Sequence, residues 1–309
     1  MIALRRQPRV EAGVALDTAA DDVHRLAVLL AAGIEPLSAL RLLDPSDGPL
    51  AAASAAGSPF EVPDVLVHAA AALEAALRRG WGLVAACWAV ATESGAPLAN
   101  TLERAADSLR ALADADRQVE LALAGPQATA RIVAMLPIVG VLMASLVGAD
   151  PVGAVFGTVP GAVAAVLGAG ALVAGIRWNR RLVAAARVSD PLAGAAEELL
   201  GLALAGGATP EAACARVESV SARCGIPLST QAARATLAFA SRAGVPASAL
   251  VRAEAVRARR LALADVLRRA ALLGPRLLGP LALCFLPAFV LLGVVPLMVG
   301  ILRGALTAF

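Results

Sequence analysis

The sequence predicts an all-α integral membrane protein: two cytoplasmic antiparallel helical bundles, arranged as a tandem repeat, with three transmembrane helices. Three observations carry this prediction. The 309-residue chain is 59% hydrophobic, with a mean hydropathy of +0.75, whereas globular chains run at about 45–50% apolar. The apolar residues gather into three uncharged runs. The same helix-stop, helix-start punctuation is written twice along the polar remainder. Aromatic residues make up only 3% and Tyr is absent, so Ala, Leu, Val and Gly supply the bulk. No alternation of apolar and polar residues marks a strand.

Taken in order, the first bundle spans 17–125. Within it, Leu98, Leu102, Leu109 and Leu112 recur at helical spacing. Glu103, Arg104, Asp107, Arg110, Asp114 and Arg117 fill other positions, with Asp107/Arg110 and Arg110/Asp114 spaced for ion pairing. The first transmembrane helix is placed at 131–149, where Ile132 to Ala149 is 18 residues without a charge. The second is placed at 152–176, a run of 25 uncharged residues. The second bundle spans 190–274. The third transmembrane helix is placed at 277–302, another 26 uncharged residues. Crossing a bilayer takes about 20 apolar residues. A buried core helix is the alternative reading, and runs this long argue against it.

Arginine placement sets the orientation. All 27 basic residues are arginine. Arg117 and Arg131 precede the first run; Arg177, Arg180, Arg181 and Arg187 follow the second; Arg268, Arg269 and Arg276 precede the third. Between the first two runs stands only the GADP turn with Asp150, and after the third only Arg303. The N-terminus and both bundles are therefore expected in the cytoplasm, and the GADP hairpin and the C-terminus outside. MIALRRQPRVEAG lacks an apolar core, so no signal peptide is expected.

The repeat is written in glycine and proline. Gly33-Ile-Glu-Pro36 aligns with Gly207-Ala-Thr-Pro210. A second offset, of 149 residues, carries Gly95-Ala-Pro97 onto Gly244-Val-Pro246 and Gly125-Pro126 onto Gly274-Pro275. Gly accepts the left-handed conformation that ends a helix, and Pro suits the first turn of the next. Thr209-Pro210-Glu211 reads as an N-cap with an acidic first turn. The first copy is longer, through the stretch DPSDGPLAAASAAGSPFEVP (44–63) and the helix after it. Internal duplication accounts for the pattern.

Thr92-Glu93-Ser94-Gly95-Ala-Pro-Leu, followed by a long amphipathic helix and Gly125-Pro126-Gln-Ala-Thr-Ala-Arg131 running into Leu136-Pro137, resembles the type II secretion system F domain. Trp81, Gly95 and the GADP hairpin sit where that family places them. Within the family the first half is most similar to the B-type platform protein of tight-adherence (Tad/Flp) pili. The second half, ending LGPLALCFLPAFVLLGVVPLMVGIL, is similar to the C-type partner. The resemblance covers roughly residues 23–303. It implies an inner-membrane assembly platform that couples a separate cytoplasmic secretion or pilus ATPase to pilin subunits. It also implies another platform protein, or a second copy of the chain, as a partner within the lipid bilayer. The chain departs from the family in three ways. Arg242 stands where the family often has an acidic residue, which Glu93 supplies in the first half. The second half is shorter, and no apolar segment precedes the first bundle. Whether the chain acts as B-type, C-type or both is left open by these differences.

No chemistry competes with this reading. His24 and His68 lack ligand-spaced neighbours, and Cys87, Cys214, Cys224 and Cys284 form no C-x-x-C pair. They are expected to be reduced and structural. A chain without lysine has no Walker-type phosphate loop. No catalytic, cofactor-binding or metal-binding residues are therefore expected, and neither an enzyme, a cofactor nor a nucleic-acid partner. Trp81 and Trp88 are expected in the bundle core, and Trp178 at the inner edge of the second span. Gly157-x-x-x-Gly161 and Ala171-x-x-x-Gly175 are helix-packing signals. Pro280, Pro287 and Pro296 are expected to kink the third span. The Arg-rich stretch 252–269 is expected to be a solvated, membrane-flanking face, with a contact surface as the alternative. The competing function class is a small membrane transporter or channel subunit. Transport normally needs ionisable groups within the spans, and no Asp, Glu, Arg or His stands inside any of the three runs.

Overall fold

Every regular element among the described residues is helical. In the computed structural model the described residues are 8–44, 48–146, 153, 159–186, 192–295 and 298. The helices are α1 (Pro8–Ala31), α2 (Pro36–Leu43), α3 (Pro49–Ala53), α4 (Val62–Ala70), α5 (Ala75–Ser94), α6 (Leu98–Leu146), α7 (Val159–Ala186), α8 (Ala195–Ala205), α9 (Pro210–Arg223), α10 (Gln231–Ala243), α11 (Ala247–Ala271) and α12 (Leu273–Pro280). The chain divides into two units. One is Met1–Arg117 with Ser189–Ala264, the other Gln118–Val188 with Asp265–Phe309; α6 and α11 contribute residues to both.

Two of the three aligned pairs of glycine–proline junctions are present as helix stops; at the third, α6 runs unbroken through Gly125-Pro126 and Gly274-Pro275 lies inside α12. Gly33, Gly95, Gly207 and Gly244 all have positive φ, at 86°, 71°, 88° and 64°. Thr209 caps α9 by accepting the Ala212 N–H at 3.3 Å. Glu35 caps α2 more fully, its carboxylate accepting the N–H groups of Leu37 and Ser38 at 3.1 and 2.9 Å. Those bonds hold the Glu35 carboxyl below its usual range, the Ser38 N–H foremost. The extra length of the first half forms α3 and α4.

The first unit has one core, centred on α5. Gly80 through Ala91 are all buried, and a helix apolar on every face must be covered on every face. Leu16, Val23 and Leu26 of α1, Leu66 of α4, and Leu102 and Leu109 of α6 cover part of it. Leu199 and Leu200 of α8, Cys214 and Val217 of α9, and Ile226 complete the same core. The sequence reading gave each half its own bundle; here α8 and α9 share the core of α1–α6. The physical reason is that α5 has no polar face between Gly80 and Ala91, so its circumference needs α8 and α9 as well as α1, α4 and α6. Two glycines allow the closest approaches. A Cβ on Gly80 would stand 2.9 Å from Leu109, and one on Gly82 would stand 2.9 Å from the Cys224 carbonyl oxygen.

In the second unit Val119 of α6, Val266 and Ala270 of α11, and Leu273 and Leu277 of α12 form a small cluster, joined by Ala122, Leu182 and Val183. Among the described residues two helical runs are long and apolar enough to cross a membrane, Gly161–Ala185 and Ala247–Val294. They overlap the expected spans 152–176 and 277–302. The expected first span, 131–149, lies in the C-terminal part of α6 as far as Leu146. The GADP hairpin, Gly157 and Arg303 lie outside the described residues.

After α12 the helix continues through two π-helical turns, Leu281–Phe285 and Val290–Val294, on either side of a short α segment, Leu286–Phe289. At Pro287 the disturbance expected from proline takes this form, while Pro280 closes α12 and Pro296 lies outside the described residues. Pro287 cannot donate to the carbonyl four residues back, at Leu283, and Leu283 lies within the first π turn. Widening the turn to i→i+5 accommodates the missing donor. Both turns rest on glycines of α7. A Cβ on Gly175 would stand 2.9 Å from Cys284 Cβ, and one on Gly168 would stand 2.6 Å from Leu292 Cγ. Gly175 belongs to the small-residue pattern read from sequence; Gly168, seven residues earlier on the same face, does not.

Gly95→Val and Gly244→Val each place a β-branched side chain at positive φ with open space around it. Each should cost about 1–2 kcal/mol or more. Thermal unfolding and protease resistance of the purified protein should fall for both; unchanged resistance in both would contradict the structural role of the junctions.

Candidate functional site

The motif Thr92-Glu93-Ser94-Gly95 closes α5. Thr92 Oγ donates to the Trp88 carbonyl at 3.0 Å, and Ser94 Oγ to the Val90 carbonyl at 2.6 Å. Both are backward bonds of the kind short polar side chains make in a last helical turn. Gly206, at the end of α8, lies so close that a Cβ there would stand 2.5 Å from the Ser94 carbonyl oxygen. Glu93 is the exposed charged member of the motif. Its carboxylate accepts from Arg223 Nη2 at 2.9 Å and lies 3.9 Å from Arg216 Nε. Arg223 Nε is also 3.8 Å from Asp64 of α4. A carboxylate in the last turn of a helix opposes the helix dipole, and the two α9 arginines offset that. Single exposed pairs contribute about 0–1 kcal/mol, more when several charges share a network.

Glu198 forms a more enclosed junction. Its side chain is only 14% exposed, and it pairs with Arg259 of α11 and accepts from Ser108 Oγ of α6. Within the 195–264 segment, Glu218 accepts both the hydroxyl and the backbone N–H of Thr230. These bonds hold the Glu218 carboxyl below its ordinary value, the hydroxyl foremost. Between α1 and α6, Arg117 bridges Asp17 and Asp114, and Arg110 bridges Asp21 and Asp107 at 3.2 Å. The Asp107/Arg110 pair was expected. Asp114 instead pairs with Arg117, three residues on, while Arg110 turns to α1.

The remaining residues singled out in the sequence take structural places. Trp81 and Trp88 are buried in the core, with Trp88 Nε1 donating to the Pro59 carbonyl at 2.8 Å. Trp178 is exposed on α7. His68 is exposed. His24 lines a shallow depression of about 280 Å³ with Asn100 and Glu103. Among the described residues no group of three or more His, Cys, Asp or Glu side chains could hold a metal ion. All four cysteines are free thiols. Burial pushes the Cys87 thiol up to about 12 and the Cys224 thiol up to about 11, so both stay protonated and unreactive near neutrality. The Arg-rich stretch is partly engaged: Arg257 pairs with Glu254, Arg259 with Glu198 and Arg269 with Asp265. Sequence reasoning missed Arg216, Arg223, Asp64 and Glu198. The seven-residue spacing of the two arginines, two turns on one helix face, was the available signal.

The charged groups of the site join helices to one another, and one comparison with known families bears on the chain. The model of type II secretion system (T2SS) protein F matches residues 23–146, from the middle of α1 to the end of α6. Over these residues the chain is similar to the type II secretion system F domain. No curated protein and no solved structure matches the chain significantly. Glu93 belongs to the F domain, while Arg216 and Arg223 come from the chain beyond it.

Two outcomes follow. Glu93→Gln leaves Arg216 without its carboxylate and Arg223 with Asp64 alone, and should lower stability by about 1 kcal/mol, read as a reduced melting temperature that high salt partly masks. In the folded protein Cys87 and Cys224 should resist a thiol reagent at pH 7.5 and react at once in denaturant. Prompt labelling of either in the native protein would contradict the burial described.

Proposed function

We propose that the chain is an inner-membrane assembly platform of a Tad/Flp-type pilus or a type II secretion-like system, coupling a separate cytoplasmic ATPase to the assembly of pilin subunits. The observation that carries this is an F domain on the same chain as two helical runs of membrane-crossing length. Exposed apolar side chains support a third span. On α6, Ile132, Met135, Val139 and Leu142 are 50–72% exposed and recur every three or four residues, a stripe that suits lipid better than water. The matching positive-φ glycines support reading 190–274 as a second, F-like copy. The arginine pattern supports a cytoplasmic N-terminus and an external C-terminus. A transporter or channel subunit is the weaker reading, because the apolar runs carry no ionisable group.

A reporter active only outside the cytoplasm, fused after Asp150, should be active, and fused after Pro191 inactive. The reverse pattern would overturn the proposed topology. The purified protein alone should hydrolyse no ATP. Turnover that follows the protein through successive columns would overturn its role as a passive partner of a separate motor.

A further inference from the structure

In the first unit, Arg110, Arg117, Arg223 and Arg259 each have a carboxylate partner. The last turns of α7, in the second unit, differ. Arg177, Arg180 and Arg181 are exposed, and none makes an ion pair or a side-chain hydrogen bond among the described residues. Helix α7 carries no acidic residue. Like charges three and four residues apart repel on a helix, so this face holds a charge that its own helix does not offset. Arg276 of α12 is exposed and unpaired in the same way. It precedes Leu277, which clusters with Leu182 and Val183 of α7, and α12 has no acidic residue either.

The arginines continue an apolar stripe. Val163, Val166, Gly170, Val173, Arg177 and Arg181 recur every three or four residues along one face of α7. The three valines are 52–72% exposed, and a Cβ on Gly170 would meet nothing within 4 Å. Gly168 and Gly175, which seat the π turns, lie on the opposite face. Trp178 stands beside the arginines and is 42% exposed; indole rings favour the level of lipid headgroups. The face is aliphatic over several turns and then cationic. One chemistry complements it from end to end: acyl chains followed by a phosphate.

We propose that this face of α7 binds an anionic phospholipid, the phosphate on Arg177, Arg180 and Arg181 and the acyl chains along the valine stripe. The inference rests on the membrane reading given under the proposed function. A guanidinium can donate two parallel N–H bonds to phosphate oxygens, and one anion shared by several arginines offsets their mutual repulsion. Basic side chains at the cytoplasmic ends of spans recruit anionic headgroups. A soluble phosphate would meet the arginines but leave the valines uncovered. Arg276 widens the charged rim from the neighbouring helix.

The test uses the full-length protein reconstituted in phosphatidylcholine vesicles with a minor fraction of lipid brominated near the headgroup end of its acyl chains. Trp81 and Trp88 are buried in the core of the first unit, so bromine-dependent quenching reports Trp178. At equal mole fraction brominated phosphatidylglycerol should quench more than brominated phosphatidylcholine, by a local enrichment of about fivefold or more. Arg177→Gln/Arg181→Gln should abolish that preference at unchanged melting temperature. Removing two exposed arginines of the first unit, Arg242→Gln/Arg260→Gln, should leave it intact. Equal quenching by the two lipids in wild type, or a preference that survives Arg177→Gln/Arg181→Gln, overturns the proposal while the span reading stands. A preference abolished by millimolar inorganic phosphate overturns it too, and assigns the arginines to a soluble anion. Absence of quenching by either lipid overturns the membrane reading itself.

Discussion

The first unit depends on a helix with no polar face. From Gly80 to Ala91 every residue of α5 is buried, so α5 forms only if other helices surround it. The segment before it and α6 cover part of its circumference. Helices α8 and α9, more than a hundred residues later, cover the rest. Burying apolar surface contributes about 25 cal/mol per Å², and α5 is where most of that burial converges. This constraint explains why the 195–224 segment cannot be an independent appendage of the F domain. It also explains why glycines at 80, 82 and 206 stand where neighbouring chain comes closest.

The polar contacts add register to this burial. Glu93 with the two α9 arginines, and Glu198 with Arg259 and Ser108, each tie the F domain to the later helices. Individually they contribute little energy, but they admit one arrangement of the covering helices. The same family motif that ends α5 therefore also marks where the rest of the chain docks.

Local features were legible in the sequence, because their causes are local. Helix stops at Gly33, Gly95, Gly207 and Gly244, the Thr209 cap, and the Leu98–Leu112 stripe follow from backbone freedom and helical period alone. The extra helices of the first half were visible as added length, and the F-domain motif was visible as a resemblance over residues that the family match includes. What was not legible depends on partners distant in the chain. The all-round burial of α5 was signalled by the unbroken apolar run from Gly80 to Ala91, but which helices cover it was not. The choice of Arg117 over Arg110 for Asp114 depends on Asp17 and Asp21 of α1. The prolines announced a disturbed helix, but the π turns and their seats on Gly168 and Gly175 required the neighbouring helix.

The central claim is that α5 is held jointly by both halves of the chain. Native-state hydrogen exchange on the full-length protein in detergent tests it, comparing wild type with Val217→Ala, a cavity on α9 facing the shared core. The account predicts that amides 84–91 of α5 lose protection together with those of α8 and α9, by the same factor, as one cooperative unit. Faster exchange confined to α8 and α9, with α5 protected as in wild type, would show two independent bundles and contradict the account.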